Sequence, residues 1–287
     1  MNEKINFSIG GLFEKFDFFK KFLGIYNEDR DKFNENFSIN SLFGSVKCIW
    51  NGGRIINDYW DINPGIVAKY MIDNFPEIEC RLTFTNIFIN KKDLEDEVGN
   101  KLLNLFNSKN NGIIIYSELL ENYIRNNYPN YKMISSITKC LTKEQTIREL
   151  QKDYSLIVLN TNYIIEEEFL EKLPNKHKVE ILVNDACQKI CPKRLEHYKS
   201  YSLNQKNNTY SKICNCESSG PLYELKDGEL FVSNDKIKKY IEMGFTNFKI
   251  QGRTNYEYDL LETLVYYLVK PEYTLEIREK FMLNLIN

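Results

Sequence analysis

Hydrophobic positions along the chain alternate between two patterns, short β-rich runs and longer stretches with helical spacing. INFSIG (5–10) leads into LFEKFDFFKKFLGIY, whose aromatic and leucine positions recur at helical spacing. SVKCIW (45–50) reads as a second strand, and a helix follows from Pro64, a residue suited to a first turn. CRLTFTN (80–86) precedes KDLEDEVGNKLLNLF, with apolar residues at Leu94, Val98, Leu102, Leu105 and Phe106. GIIIYS (112–117) runs into ELLENYIRNNY, and YKMISSIT (131–138) into TKEQTIRELQKD, where Thr142 and Gln145 have capping-box spacing. SLIVLNT (155–161) precedes EEEFLEKL, and KVEILVND (178–185) opens a long irregular stretch. Ser233 and Asn234 cap a helix that Gly244 stops, FTNFKIQGR (245–253) follows, and a last helix runs from Tyr256 to Val269.

Eight strand candidates, seven followed fairly directly by a helix, imply an α/β fold with a parallel sheet under helices. Eight units specify a closed (β/α)8 TIM-like barrel better than an open sheet. Such a barrel takes about 250 residues. The 287 residues therefore fit one domain spanning 1–287, and no low-complexity linker divides them. The main irregularity is 184–228, a long loop after strand seven that carries four of the seven cysteines. Long loops in compact domains are commonly functional.

Lys plus Arg number 38 against 40 for Asp plus Glu, a net charge of -2, which excludes a general attraction to nucleic acid and leaves room for a local basic groove. No apolar run approaches the length of a membrane span, and the start MNEKINFSIGG lacks the pattern of a secretion signal. The expected compartment is the cytoplasm, where structural disulfides are rare and clustered cysteines point to metal or redox chemistry. The aromatic residues, 14% of the chain, recur at helical spacing and read as packing, not as a base-stacking platform.

Cys187 and Cys191 form C-x-x-x-C directly after a strand, and Cys214 and Cys216 form C-x-C on the same loop. Each thiolate needs only a local turn to converge on one metal centre, so 184–228 reads as a cysteine-rich metal-binding insertion. The spacing differs from the paired C-x-x-C of zinc ribbons. Arg194 stands where radical S-adenosylmethionine chemistry would need a third cysteine. An iron–sulfur cluster accepts three or four thiolates at flexible spacing, and zinc would accept the same sulfurs. Cys80 and Cys140 read as small buried hydrophobes, while Cys48 sits where a barrel would aim it toward the active face.

In such barrels catalytic side chains collect at the C-terminal ends of strands. That nominates Asn51, Arg54, Asn86, Ser117, Glu118, Ser135, Ser136, Asn160, Asn184, Asp185 and Arg253, a rim suited to a polar or anionic substrate. Arg253 is the strongest candidate, since its fork can hold a carboxylate or phosphate, or else close the barrel as a salt bridge between first and last strands. Glu118 is either a general base or a complement to a helix dipole. His197 follows Cys191 by six residues, as a ligand, a proton carrier or a packing partner, and His177 reads as solvated. Gly52 and Gly53 would let backbone approach a phosphate. No Ser-His-Asp order is present.

Two segments resemble the collagenase-like peptidase family. FTNFKIQGR matches its closing pattern K-I-E-G-R at Lys249, Ile250, Gly252 and Arg253, with Gln251 in place of the glutamate. NDACQKICPKR matches its N-x-x-C-x-x-x-C-R region at Asn184, Cys187 and Cys191, with the arginine displaced to Arg194. The cysteine pairs that the family carries upstream are missing, and the C-x-C lies downstream. The resemblance implies a barrel with an iron–sulfur (4Fe-4S) cluster held by Cys187 and Cys191 and completed from Cys214, Cys216 or Cys48. It implies oxygen-independent redox or hydroxylation chemistry on a polar small molecule or an RNA, supplied by an electron-donor protein. The alternatives are a zinc-stapled barrel acting as a binding or scaffold module, and a peptidase.

Overall fold

The computed structural model describes residues 4–53, 62–209, 211, 213 and 221–283. Eight parallel strands close a barrel in chain order: β1 (Ile5–Gly10), β2 (Phe37–Gly44), β3 (Glu79–Phe84), β4 (Gly112–Ile115), β5 (Lys132–Ser135), β6 (Leu156–Val158), β7 (Val179–Leu182) and β8 (Asn247–Ile250). Around them run α1 (Phe16–Glu28), α2 (Pro64–Asn74), α3 (Glu97–Leu105), α4 (Glu118–Asn127), α5 (Lys143–Glu149) and α6 (Glu167–Lys172). The later helices are α7 (Arg194–Asn207), α8 (Leu222–Lys226), α9 (Asn234–Glu242), α10 (Glu257–Leu268) and α11 (Thr274–Leu283). The fold is the expected (β/α)8 barrel. Among the described residues, no helix is long and apolar enough to cross a membrane.

Strand alternation divides the interior. Phe7 and Ile9 of β1, Leu82 and Phe84 of β3, and Ile113 and Ile115 of β4 face the helices and build the main core. The residues between them face inward, where Phe43, Ile114, Ile134, Leu156 and Val158 form a separate apolar plug. Local signals fix several helix ends as the sequence indicates. Thr142 and Gln145 make a full capping box on α5, Asn63 caps α2 ahead of Pro64, and Ser233 caps α9. Gly244 adopts φ +99 just beyond α9.

The second strand is a correction. It lies at Phe37–Gly44, and the stretch 45–50 is loop. Val46, Cys48 and Trp50 imitate strand alternation because they pack into the layer between barrel and helices. Trp50 is fully buried; its indole N–H donates to the carbonyl of Asp93 at 2.6 Å and its ring meets Phe84 edge-on at 5.1 Å. The long stretch after β7 is also not all loop, since α7 and α8 lie in it. Beyond the last predicted helix, α11 returns to pack Phe281 against Phe18 of α1, ring centroids 4.8 Å apart.

Gly99 in α3 lies flat against Trp50, and a Cβ at that position would fall within the indole ring. Alanine is the better helix former by about 1 kcal/mol, but overpacking a dense core costs about 1–3 kcal/mol. Gly99→Ala is therefore expected to lower stability in urea unfolding. A variant as stable as the parent would refute this packing account.

Candidate active site at the barrel mouth

The C-terminal ends of the strands enclose a cavity of about 200 Å3. Its floor is set by charge. Lys249 of β8 lies inside the barrel with Nζ 3.1 Å from Glu180 of β7 and 3.5 Å from the centroid of the Phe43 ring. Glu180 also accepts from Arg81 of β3 at 2.6 Å, and Arg81 reaches Glu79 at 2.9 Å. All three side chains at the centre are buried: 8% of Lys249, 3% of Arg81 and 1% of Glu180 is exposed. Burial alone would raise the Glu180 carboxyl, yet Lys249 and Arg81 outweigh it and hold it below the ordinary range. For Lys249 burial wins, and its ammonium is pulled down to about 8 against the opposing pull of Glu180.

The roof is α7. At its start Arg194 is buried, donating Nη1 to Asp185 at 3.0 Å and to the Thr161 hydroxyl, and Nη2 to the Gln188 carbonyl at 3.0 Å. Near its end, the Ser202 hydroxyl accepts from the Ile87 amide at 3.1 Å, and Lys206 pairs with Asp93 at 2.6 Å. The helix thus crosses the mouth from the β6–β7 side to the segment after β3. Between these anchors His197, Tyr198 and Tyr201 face the cavity, with the imidazole stacked on Tyr201 at 5.0 Å. Burial, then Asp185, raises the Tyr198 hydroxyl above its ordinary range.

Cys187 lines this cavity, and Cys191 is a neighbour of its thiol. Burial, with Asp185 and Cys191 as neighbours, pushes the Cys187 thiol up to about 11 although Arg194 opposes this. The turn between the two is anchored where the Cys187 amide donates to Asp185 at 3.0 Å, and it places Ile190 at φ +52, a strained angle for a β-branched residue. Cys214, Cys216 and Arg54 lie outside the described residues. Cys48 packs in the outer core with its sulfur 3.7 Å from the Ser45 hydroxyl, its thiol pushed up to about 12 by burial, and does not line the cavity. Among the described residues, no three His, Cys, Asp or Glu side chains converge to hold a metal.

Arg253 makes an ion pair and stands at the cavity. Its Nε donates to Glu14, in the segment after β1, while the residue also lines the cavity. Asn184 is fully buried and locked to Gln251: its amide accepts from the Gln251 N–H at 2.8 Å and donates to the Gln251 carbonyl at 3.0 Å. Gln251 Nε2 returns a bond to the Asn184 carbonyl at 2.7 Å, a donor role that a glutamate at this position of K-I-E-G-R would lack when ionised. Glu118 is exposed at the start of α4 and is not part of the cavity wall.

Much of the polar rim caps local structure. Ser117, Ser136 and Asn160 each accept a backbone N–H from the turn that follows, Asn86 does the same for Phe88, and Ser135 donates to Glu149 at 2.8 Å. Asn51 accepts from the Gly53 amide at 2.9 Å, and Gly52 lies against the backbone of Thr85. His177 sits at the opposite end of β7, where its carbonyl accepts from Asn247 at 2.7 Å. Cys80 is buried in the outer core as expected, and Cys140 is half-buried in a left-handed turn. Sequence reasoning passed over Tyr198, Tyr201 and the pair Arg81 and Glu180, and took Lys249 only as part of a motif match. A charge inside each of the buried runs CRLTF and KVEIL was the available signal.

Among solved structures, that of a U32 peptidase is similar to this chain, with a TM-score of 0.56 and 10% sequence identity over 88% of this chain and 94% of that one. U32 peptidases are the collagenase-like family, and at this identity the likeness is one of fold. No protein-family model matches the chain, and no curated protein matches it.

Because Glu180 is held below the carboxylate range when folded, its stabilisation is complete above its unfolded value and is lost as pH falls through the folded one. Glu180→Gln leaves Arg81 and Lys249 short of a counter-charge and is expected to cost about 3 kcal/mol at neutral pH. The gap to the parent should begin to narrow below about pH 4, where the carboxyl takes up its proton in the unfolded chain, and close further as pH falls through the lower folded value. Urea unfolding across this range checks both points, and a pH-independent gap would count against the charge account.

Proposed function

We propose that this barrel is an enzyme that takes a polar small molecule, or an exposed RNA group, at the cavity under α7. In this reading Cys187 and Cys191, with Cys214 and Cys216, hold an iron–sulfur cluster at the cavity edge. The observation that carries the reading is that Cys187 opens onto the same cavity as Lys249 and Arg253, with Cys191 its neighbour on the same turn.

The donor set suits the group. Partial burial disfavours ionisation of the Cys187 thiol, and a cationic centre reverses that balance by displacing its proton. The described chain before Cys214 also turns back along α7. Ser211 is tied to Asn204 and Ser200 of α7, so the strand of chain after the helix doubles back toward its start. At 1.5 Å per residue, Ser200 is about 9 Å along the helix from Arg194. The three residues from Ser211 to Cys214 span about 10 Å when extended. When bound, the cluster would supply single-electron chemistry without molecular oxygen. The residues of this chain do the rest: Arg253 and Lys249 bind and orient the substrate, and α7 excludes water.

Two other readings use the same site. Zinc on the same thiols would staple the loop and leave a binding module. The fold likeness to a U32 peptidase favours hydrolysis. A thiol raised to about 11 is poorly prepared for nucleophilic attack, which ranks that reading last. Oxygen-free purification is expected to give coloured protein with about four irons and four sulfides per chain. Cys187→Ala and Cys191→Ala should each lose colour and iron. Colourless protein with zinc alone would replace the cluster by the staple, and peptide cleavage persisting in both variants would favour the peptidase.

A further inference from the structure

We propose that the cavity wall between the segments after β7 and β8 is an oxyanion site for the phosphate group of a small phosphate monoester, bound by Arg194 and Arg253. Each of these guanidinium groups is fixed on one side by a carboxylate, Asp185 for Arg194 and Glu14 for Arg253. Each also leaves a buried nitrogen without an acceptor among the described residues, Nε of Arg194 and Nη2 of Arg253. Both residues line the same cavity of about 200 Å3, with Lys249. A charged donor buried without an acceptor bears the whole loss of its hydration. Two in one small cavity point to an acceptor that comes from outside the chain.

The arrangement favours a tetrahedral anion over a planar one. A carboxylate is best held by two parallel donors of one guanidinium. On Arg194 both Nη atoms are spent on Asp185, Thr161 and Gln188. On Arg253 only Nε is spent, on Glu14, and Nη1 borders the space beside Gly53 that a Cβ there would enter. What remains is Nε of Arg194 on one wall and the Nη edge of Arg253 on the other; a carboxylate seated on that edge would leave the Arg194 donor unmet, whereas donors from two walls suit the several oxygens of a phosphate. The segments after strands seven and eight are also where barrels of this kind recurrently bind phosphate. Cavity size limits the buried part of the ligand to the phosphate and a few carbons. The three cations each have a carboxylate partner, Asp185, Glu14 and Glu180, so the wall is near neutral and the expected affinity is modest.

This inference rests on the mouth cavity being the substrate site, and not on the cluster. The test is calorimetric titration of the full chain with inorganic phosphate, glycerol phosphate and malonate, with iron measured on the same samples. Phosphate and glycerol phosphate are expected to bind and malonate to bind far more weakly. Arg253→Lys should weaken phosphate binding about tenfold. Gly53→Ala should do likewise by displacing the guanidinium while keeping its charge. Its backbone angles lie outside the region that favours glycine, so the variant is expected to fold as the parent does. Absence of phosphate binding, equal binding of malonate, or unchanged binding in both variants would each overturn the site. Phosphate binding by protein free of iron would leave it standing and remove the cluster alone.

Discussion

A carboxylate at the centre of a closed barrel must have its counter-charges within reach, and Glu180 finds them on two other strands. Arg81 comes from β3 and Lys249 from β8. This pairing ties three strands across the interior, including two on opposite sides of the ring. It also makes the register costly to change. A slip of one residue would turn Glu180 and Arg81 into the apolar layer that Ile181 and Leu82 now occupy beneath the helices. Such a slip would also bring those leucine and isoleucine side chains into a space shaped for charge. Interaction of this kind adds little net stability over a well-packed apolar core, but it discriminates strongly against alternatives that leave one partner unpaired.

The same network places the floor of the cavity. Lys249 is held by Glu180 below and by the face of Phe43 at its side, so its ammonium has little freedom to leave the mouth. Above it α7 is a helix of an unusual sort, with Ser200, Ser202, Asn204 and Gln205 among its buried residues and no apolar stripe. A helix of that composition gains little by lying on a hydrophobic core. It is held across the mouth by polar bonds at its two ends, to Asp185 and Thr161 on one side and to the segment after β3 on the other. The result is a polar roof over a floor of buried charge.

This composition explains what could be read from the sequence. The outer core obeys alternation and helical spacing, so barrel class and several caps were legible from Phe7, Ile9, Thr142 and Ser233 outward. The second strand was misplaced because FSINSLFG turns polar residues into the barrel, whereas Val46, Cys48 and Trp50 give a loop the rhythm of a strand. The same confusion sent Cys48 toward the active face. α7 escaped notice because it lacks the apolar periodicity by which helices are recognised. Rim residues were chosen by position at strand ends, which selects helix caps such as Ser117 as readily as active-site groups. Cys187 and Arg253 were found because their neighbours in sequence were themselves distinctive.

The cysteine turn and the arginine are set by one piece of geometry. Asn184 stands three residues before Cys187, and Gln251 two residues before Arg253, and the two are joined by three hydrogen bonds. These bonds fasten the chain leaving β7 to the chain leaving β8 just above the last strand residues. Displacement of either segment therefore shifts the other, and the spacing between the thiol and the guanidinium is kept. The glutamine is suited to this role because one amide supplies the donor that a carboxylate would not. Asn184 and Gln251, which carry no reacting group, thus hold in a fixed relation the two loops that present Cys187 and Arg253 to the cavity.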